Sequence, residues 1–229
     1  MILLAIDTAG VDCAVGLYDS DLDRMLAARS ETIGRGHAEK LMGMIDSVLD
    51  EALIALPSVE RVAVTIGPGS FTGIRVGLSA ARGLALALGV DIVGISTLAV
   101  LAAAERRRGG AVAVLAAMDA KRDEVYVQGF SPDAVALDDA RLLSVDEFRA
   151  MAAGFTGHGQ GRVTGSACRL LEENVTGEGE EVATVEADHF PMEDIARLGA
   201  VAQASGKPKP LYLRGPDVKP QAGFAVARA

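Results

Sequence analysis

Residues 66–83 read IGPGSFTGIRVGLSAARG, with five glycines and one proline set among small and apolar residues. They follow an apolar run, VERVAVTI at 59–66, so a strand feeds a turn and then a helix. Phosphate-holding loops occur at such junctions, but a Walker A loop needs a lysine and a hydroxyl where Ile74 and Arg75 stand. The dinucleotide spacing fails as well: the glycines fall at 67, 69 and 73, and no ribose-binding acid lies at a fitting distance. Two local readings remain. Free backbone N–H groups at the helix start bind an anion, or Ser70 or Thr72 caps the helix and satisfies those same groups.

The helix that follows is predicted over 72–88, with Gly89 as its stop. Gly73, Gly77, Ala80, Ala81, Ala85 and Leu88 lie near one another on its surface, while Leu78, Leu84 and Leu86 spread apolar character around it. A glycine inside a helix costs roughly 1 kcal/mol relative to alanine. Close approach of another backbone is the usual compensation. That neighbour lies either between two lobes of this chain or on a second subunit, since exposed apolar helix pairs mark partner sites.

Working outward, apolar segments at 2–6, 13–18 and 24–30 are joined by short polar links and predict an antiparallel meander. Residues 37–56 carry Leu41, Ile45, Val48, Leu49, Ala52, Leu53 and Leu56 at helical spacing, and Met42 and Met44 widen that stripe. DIVGIS at 91–96 predicts a strand and residues 96–108 a helix. The pattern then restarts: AVAVLAAMDA at 111–120 is an apolar strand ending near an aspartate, as 2–7 is, and EVYVQGF at 124–130 follows it. A glycine-rich loop surrounds a short strand at 162–165, a last helix covers 192–206, and the tail from Lys207 is extended. These elements predict an α/β chain of two related lobes with mixed sheets: residues 1–105, completed by the 192–206 helix, and a smaller lobe at 106–229 with the tail.

The 229 residues suffice for a well-buried core. A net charge of −9 argues against a broad non-specific nucleic-acid footprint. Cys13 and Cys168 have no CxxC or Cys/His neighbourhood and read as isolated thiols. MILLAIDTAG lacks the pattern of a signal peptide, and Ala80–Ala104 is interrupted by Arg82 and Asp91, so a cytoplasmic location is expected.

Candidates for chemistry are few. Asp7 ends a buried-type strand and serves either a metal-nucleotide site or a simple turn, and Asp119 is its counterpart in the second lobe. The AKRDE that follows Asp119 is bulkier than a phosphate-binding hairpin wants. His37, His158 and His189 lack a histidine at helical spacing, and Leu41 stands four residues after His37. ERRRG at 105–109 is a basic helix end, either solvated or a docking point for RNA or a partner.

LAIDTAG at the N-terminus, HAEKLMGMID at 37–46, IGPGSFTGIRVGLSAARGLA at 66–85, MDAKRDEVYV at 118–127 and YLRGPDV at 212–218 resemble the TsaB/YeaZ family. This is the bacterial dimerisation subunit of the complex that makes threonylcarbamoyladenosine in tRNA. The resemblance implies an actin-like fold of the sugar kinase, Hsp70 and actin superfamily. It also implies a non-catalytic scaffold that binds a catalytic TsaD-type paralogue, with a small P-loop ATPase of the TsaE type as a further partner. It implies homodimerisation when alone and tRNA contact through the complex. No cofactor of its own is implied; ATP and metal are expected on partner subunits, with a nucleotide at a subunit junction as an option. His37 matches the first histidine of the catalytic paralogue's metal motif, and Leu41 stands in place of the second. The expected interface comprises helices 38–55 and 72–88 through Leu41, Met44, Ile45, Val48, Gly73, Val76, Gly77, Ala80 and Leu84, with no catalytic and no metal residues. Ser70, Thr72 and Arg75 are expected to be structural, Arg75 bonding across the helix pair or to a strand end, and Asp7 and Asp119 to be vestiges of a nucleotide site. The competing functions are an actin-like-fold phosphotransferase or peptidase acting through Asp7 and Asp119, and a tRNA-binding module using Arg106, Arg107 and Arg108.

Overall fold

The computed structural model describes residues 1–157, 161–172 and 187–214. Strands β1 (Ile2–Asp7), β2 (Asp12–Asp19) and β3 (Arg24–Thr32) form the expected meander, and β4 (Arg61–Gly67) and β5 (Asp91–Ser96) add to it in parallel. The sheet order is β3-β2-β1-β4-β5, with Ala5 paired to both Gly16 and Ala63. Leu3, Leu4, Ala5 and Ile6 are all buried, because helices cover both sheet faces.

On one face lie α1 (His37–Ala52) and α2 (Phe71–Leu88). The other carries α6 (Met192–Val201), whose Gly199 packs against Leu3, Ala63 and Val93. Arg61 of β4 fixes that helix by donating from Nη1 to the carbonyls of Gly199, Ala200 and Ala202 at 3.0–3.2 Å. A cation at a helix C-terminus is the favourable polarity.

Helix α3 (Thr97–Gly109) leads to a second sheet of β6 (Ala113–Lys121), β7 (Glu124–Phe130), β8 (Arg141–Ser144) and β9 (Gly161–Thr164), in the order β8-β7-β6-β9. Strand β6 runs antiparallel to β7 and parallel to β9, as β1 does to β2 and β4. Val114, Ala116 and Met118 of β6 join the core of the first sheet, while Leu115 and Ala117 face a separate cluster around Phe148. That alternation closes the molecule into the mixed α/β arrangement with mixed sheets expected from the sequence.

The structure also departs from expectation. Helix α1 stops at Ala52 because Leu53 is left-handed (φ 55°) and 91% exposed, and Leu56 lies in a short 3-10 turn. Strand β8 and α4 (Val145–Thr156) have no counterpart in the sequence reading, although Ser144 and Glu147 form a reciprocal capping box. Helix α6 ends at Val201, short of 206. After β9, helix α5 is described over Arg169–Glu172. His158 and the tail beyond Arg214, including half of the YLRGPDV motif, lie outside the described residues.

Candidate protein interface

The glycine-rich stretch is explained by its own first strand. Beyond β4, a Cβ on Gly69 would collide with the carbonyl of Ala9, and Ser70 donates its backbone N–H to that same oxygen at 2.7 Å. Ser70 then caps α2, its Oγ accepting from the Gly73 N–H at 3.1 Å, a contact of about 1 kcal/mol in typical helices. A Cβ on Gly73 or Gly77 would strike the carbonyl or the hydroxyl of Thr8. The Thr8 hydroxyl donates to the Gly73 carbonyl at 2.7 Å. The glycines therefore admit the β1–β2 turn of the same chain, and the capping reading replaces the anion reading.

The outward side of α2 is different in kind. Phe71, Arg75, Ser79 and Leu86 fall on one stripe, and Phe71 and Leu86 are exposed. The Arg75 guanidinium stacks 3.6 Å above the Phe71 ring and donates from Nε to the Tyr212 hydroxyl at 2.9 Å. Tyr212 lies 5.4 Å from Phe71, centroid to centroid. It belongs to a C-terminal segment tied down by the Leu211 N–H on Ile66 O, by Arg82 on Pro208 O, and by Arg214 on Glu124. Between α1 and α2 runs an open groove of about 480 Å³, walled by Met42, Phe71, Thr72, Arg75 and Val76 with Leu41 at its base. Exposed aromatic, methionine and arginine groups beside an apolar groove have the composition of a protein contact.

The strand-end acids are engaged by the chain's own groups. Burial pushes the Asp7 carboxyl up to about 6, although Thr65 Oγ1 (2.6 Å) and the Ala9 N–H (3.0 Å) both donate to its Oδ1. Its buried Oδ2 meets no polar partner. A carboxyl so placed is a poor ligand for a divalent cation, which needs several oxygens converging on it. For Asp119, partial burial opposes ionisation, but Lys121 through its side chain and backbone, and Arg169, outweigh it and hold the carboxyl below its usual range. Both cations bind Oδ2, and the Lys121 backbone N–H takes Oδ1 at 2.7 Å, so both oxygens are already engaged. Among the described residues no three His, Cys, Asp or Glu side chains cluster as a metal site. His37 instead donates from Nε2 to the Asp12 carbonyl at 3.2 Å.

Residues 30–205 match the family model described as TsaD, tRNA N6-adenosine threonylcarbamoyltransferase. The tRNA threonylcarbamoyladenosine biosynthesis protein TsaB of Escherichia coli is 38% identical over 133 residues, 58% of this chain and 56% of that protein. TsaB of Bacillus subtilis is 32% identical over 126 residues, 55% of this chain and 53% of that protein. The chain thus spans just over half the length of the curated relatives it matches. The solved YeaZ from Pseudomonas aeruginosa superimposes with a TM-score of 0.75 at 30% identity, covering 93% of this chain and 99% of that one. This chain belongs to that family, in its TsaB/YeaZ branch.

For this TsaB/YeaZ member the structure places the interface positions read from sequence at different depths. Leu41, Met44, Ile45 and Val48 are buried under α1 against the chain's own sheet, and Gly73 and Gly77 are buried against Thr8. Their side chains or backbone already have intrachain neighbours, so their apolar periodicity reports the core. Val76, Ala80 and Leu84 are half-buried along the seam, and Val76 and Ala80 reach the groove. Arg75 is exposed and bonds to the C-terminal segment, not to a strand end or α1. Thr72 is exposed at the groove and does not cap. Phe71, Met42 and Tyr212 escaped the sequence reading of the site; the available signal was the Phe71–Arg75 spacing, opposite the glycine face.

The arginines at 106–108 also change meaning. Arg107 holds the buried Asp194 of α6 through Nε (3.1 Å) and Nη2 (2.9 Å), so it ties α3 to α6. Arg108 bonds to Ala104 O and Glu105 on its own helix.

Proposed function

We propose that this chain is a non-catalytic docking subunit for the formation of threonylcarbamoyladenosine in tRNA. It binds the catalytic TsaD-type paralogue through the outward side of α1 and α2, and pairs with itself through the same face when alone. The supporting observation is the exposed Phe71, Met42 and Arg75 at the rim of the α1–α2 groove. Family membership and the names of the relatives give the reaction its chemistry. In this reading Leu41, Val76, Ala80 and Leu84 support the contact from below, while Met44, Ile45, Val48, Gly73 and Gly77 shape it through the core. Residues 1–105 with α6 form the docking lobe, and 106–229 the smaller one.

The TsaE-type ATPase joins through the complex, as does tRNA. ATP and metal belong to the partner subunits, with a nucleotide at a subunit junction, and the assembly works in the cytoplasm. Helix α2 is long and apolar enough to cross a membrane by length and composition alone, but its inner face packs on β4 and it carries Arg75 and Arg82. Reconstitution of tRNA modification with purified partner subunits is the test: activity is expected only when this chain is present. Full activity without it, or tight stoichiometric binding of Mg-ATP to the isolated chain by calorimetry, overturns the reading.

A further inference from the structure

A short segment, Asp188–Phe190, touches both lobes at once. Asp188 accepts from the Ser166 backbone N–H at 2.7 Å and from Ser166 Oγ at 2.5 Å. Ser166 Oγ in turn accepts from the Asp119 N–H at 3.0 Å, at the end of β6. The next residue, His189, turns the other way and donates from Nδ1 to Asp12 Oδ2 at 2.6 Å, at the start of β2. Asp12 Oδ1 takes the Thr32 hydroxyl at 2.6 Å, extending the connection to β3. Phe190 is buried, and its ring and the Asp188 carbonyl both press on Gly10, where an added Cβ would lie 3.0 Å from each.

We propose that Asp188–Phe190 is a clasp that couples the two lobes where the Asp7 and Asp119 turns meet. Its carboxylate holds the second lobe, its imidazole holds the first, and Gly10 is small so that the clasp can lie flat on the β1–β2 turn. Because consecutive residues make the two attachments, loosening one loosens the other, and the lobes are held at one mutual angle. The clasp itself stands on these contacts alone, whatever the docking partner.

A segment that merely fills space would behave as two independent local contacts, and the coupling separates the cases. His189 is more than half exposed, so His189→Ala leaves the core intact. The change lies in the first lobe, and the readout is in the second: hydrogen exchange of the Ser166 and Asp119 amides is expected to accelerate about tenfold, the loss of roughly one hydrogen bond's worth of protection. Gly10→Ala attacks the clasp sterically without removing a bond and should accelerate the same two amides. Conversely, Ser166→Ala should shift the His189 imidazole nitrogen resonances. If His189→Ala and Gly10→Ala leave Ser166 and Asp119 exchanging at wild-type rates, with changes confined to Asp12 and Thr32, the clasp is refuted. Should one variant fail to fold, the others carry the same cross-lobe comparison.

Discussion

The two sheets repeat one strand order but treat the central turn differently. In the first, four residues join Asp7 to Asp12, and Thr8 is buried beneath an 18-residue α2. In the second, Arg122 and Asp123 alone join β6 to β7, with Lys121, Arg122 and Asp123 all left-handed. Both lobes place a glycine against the central strand end: Gly69 meets the Ala9 carbonyl and Gly165 that of Ala117. The shared glycine is architecture. What sets the first sheet apart is the exposed outward side of α2 beside α1, where the proposed partner face lies.

The largest effect expected from this comparison is at the α2 glycines. Gly73→Val should cost several kcal/mol, because its Cβ would overlap the Thr8 carbonyl in a packed core. Gly154→Ala in α4, where nothing lies within 4 Å, should instead stabilise by up to about 1 kcal/mol. Thermal melts of the two variants check the contrast, and equal effects would break it.

The strand-end acids should show opposite pH profiles. Asp7 has a folded pKa raised from 3.8 to about 6, so the folded state binds the proton more tightly. The stability this contributes is complete below about pH 4 and is lost as pH rises through about 6, an effect of about 3 kcal/mol. Asp7→Asn keeps an acceptor for Thr65 and Ala9 and should gain roughly that amount at pH 8 over wild type, and nothing near pH 4. Asp119 is held below its usual range, so its contribution is present at neutral pH and lost in acid. Asp119→Asn should therefore be less stable than wild type at pH 7, with the difference closing as pH falls. Denaturant melts across pH 4–8 measure the Asp7 effect, and melts continued from pH 4 down to about 2 measure that of Asp119.

A smaller effect sharpens the distinction between core and partner glycines. Gly43 in α1 and Gly83 in α2 are exposed with open space beside them. Alanine at either should raise monomer stability by about 0.5–1 kcal/mol. A leucine at Gly83 should leave the monomer folded and weaken association with the catalytic paralogue, as read by titration calorimetry.

Most elements were legible because their chemistry is local. Alternating or continuous apolar runs marked β1, β2, β4 and β6, and Gly89, left-handed in the structure, marked the end of α2. The family motif carried the fold class. The face of α2 was not legible, since glycines spaced for close approach do not say whose backbone approaches. Here Thr8, more than sixty residues earlier, supplies it. Nor does sequence reveal that Tyr212 returns to Phe71, or that Asp188 and His189 reach opposite lobes. Those contacts depend on chain reversals that no local pattern encodes.

The central claim is that the outward side of α1 and α2, and not its glycine face, receives the catalytic paralogue. Light scattering on a sizing column, with the chain mixed with the TsaD-type subunit, tests it most directly through a Met42→Asp, Phe71→Asp double variant. Both side chains are about half exposed, so the variant should melt as wild type does. The account predicts a heterodimer for the wild type and two separate monomers for the variant, a loss of at least about 2 kcal/mol of binding. A variant that still elutes as the heterodimer would contradict it.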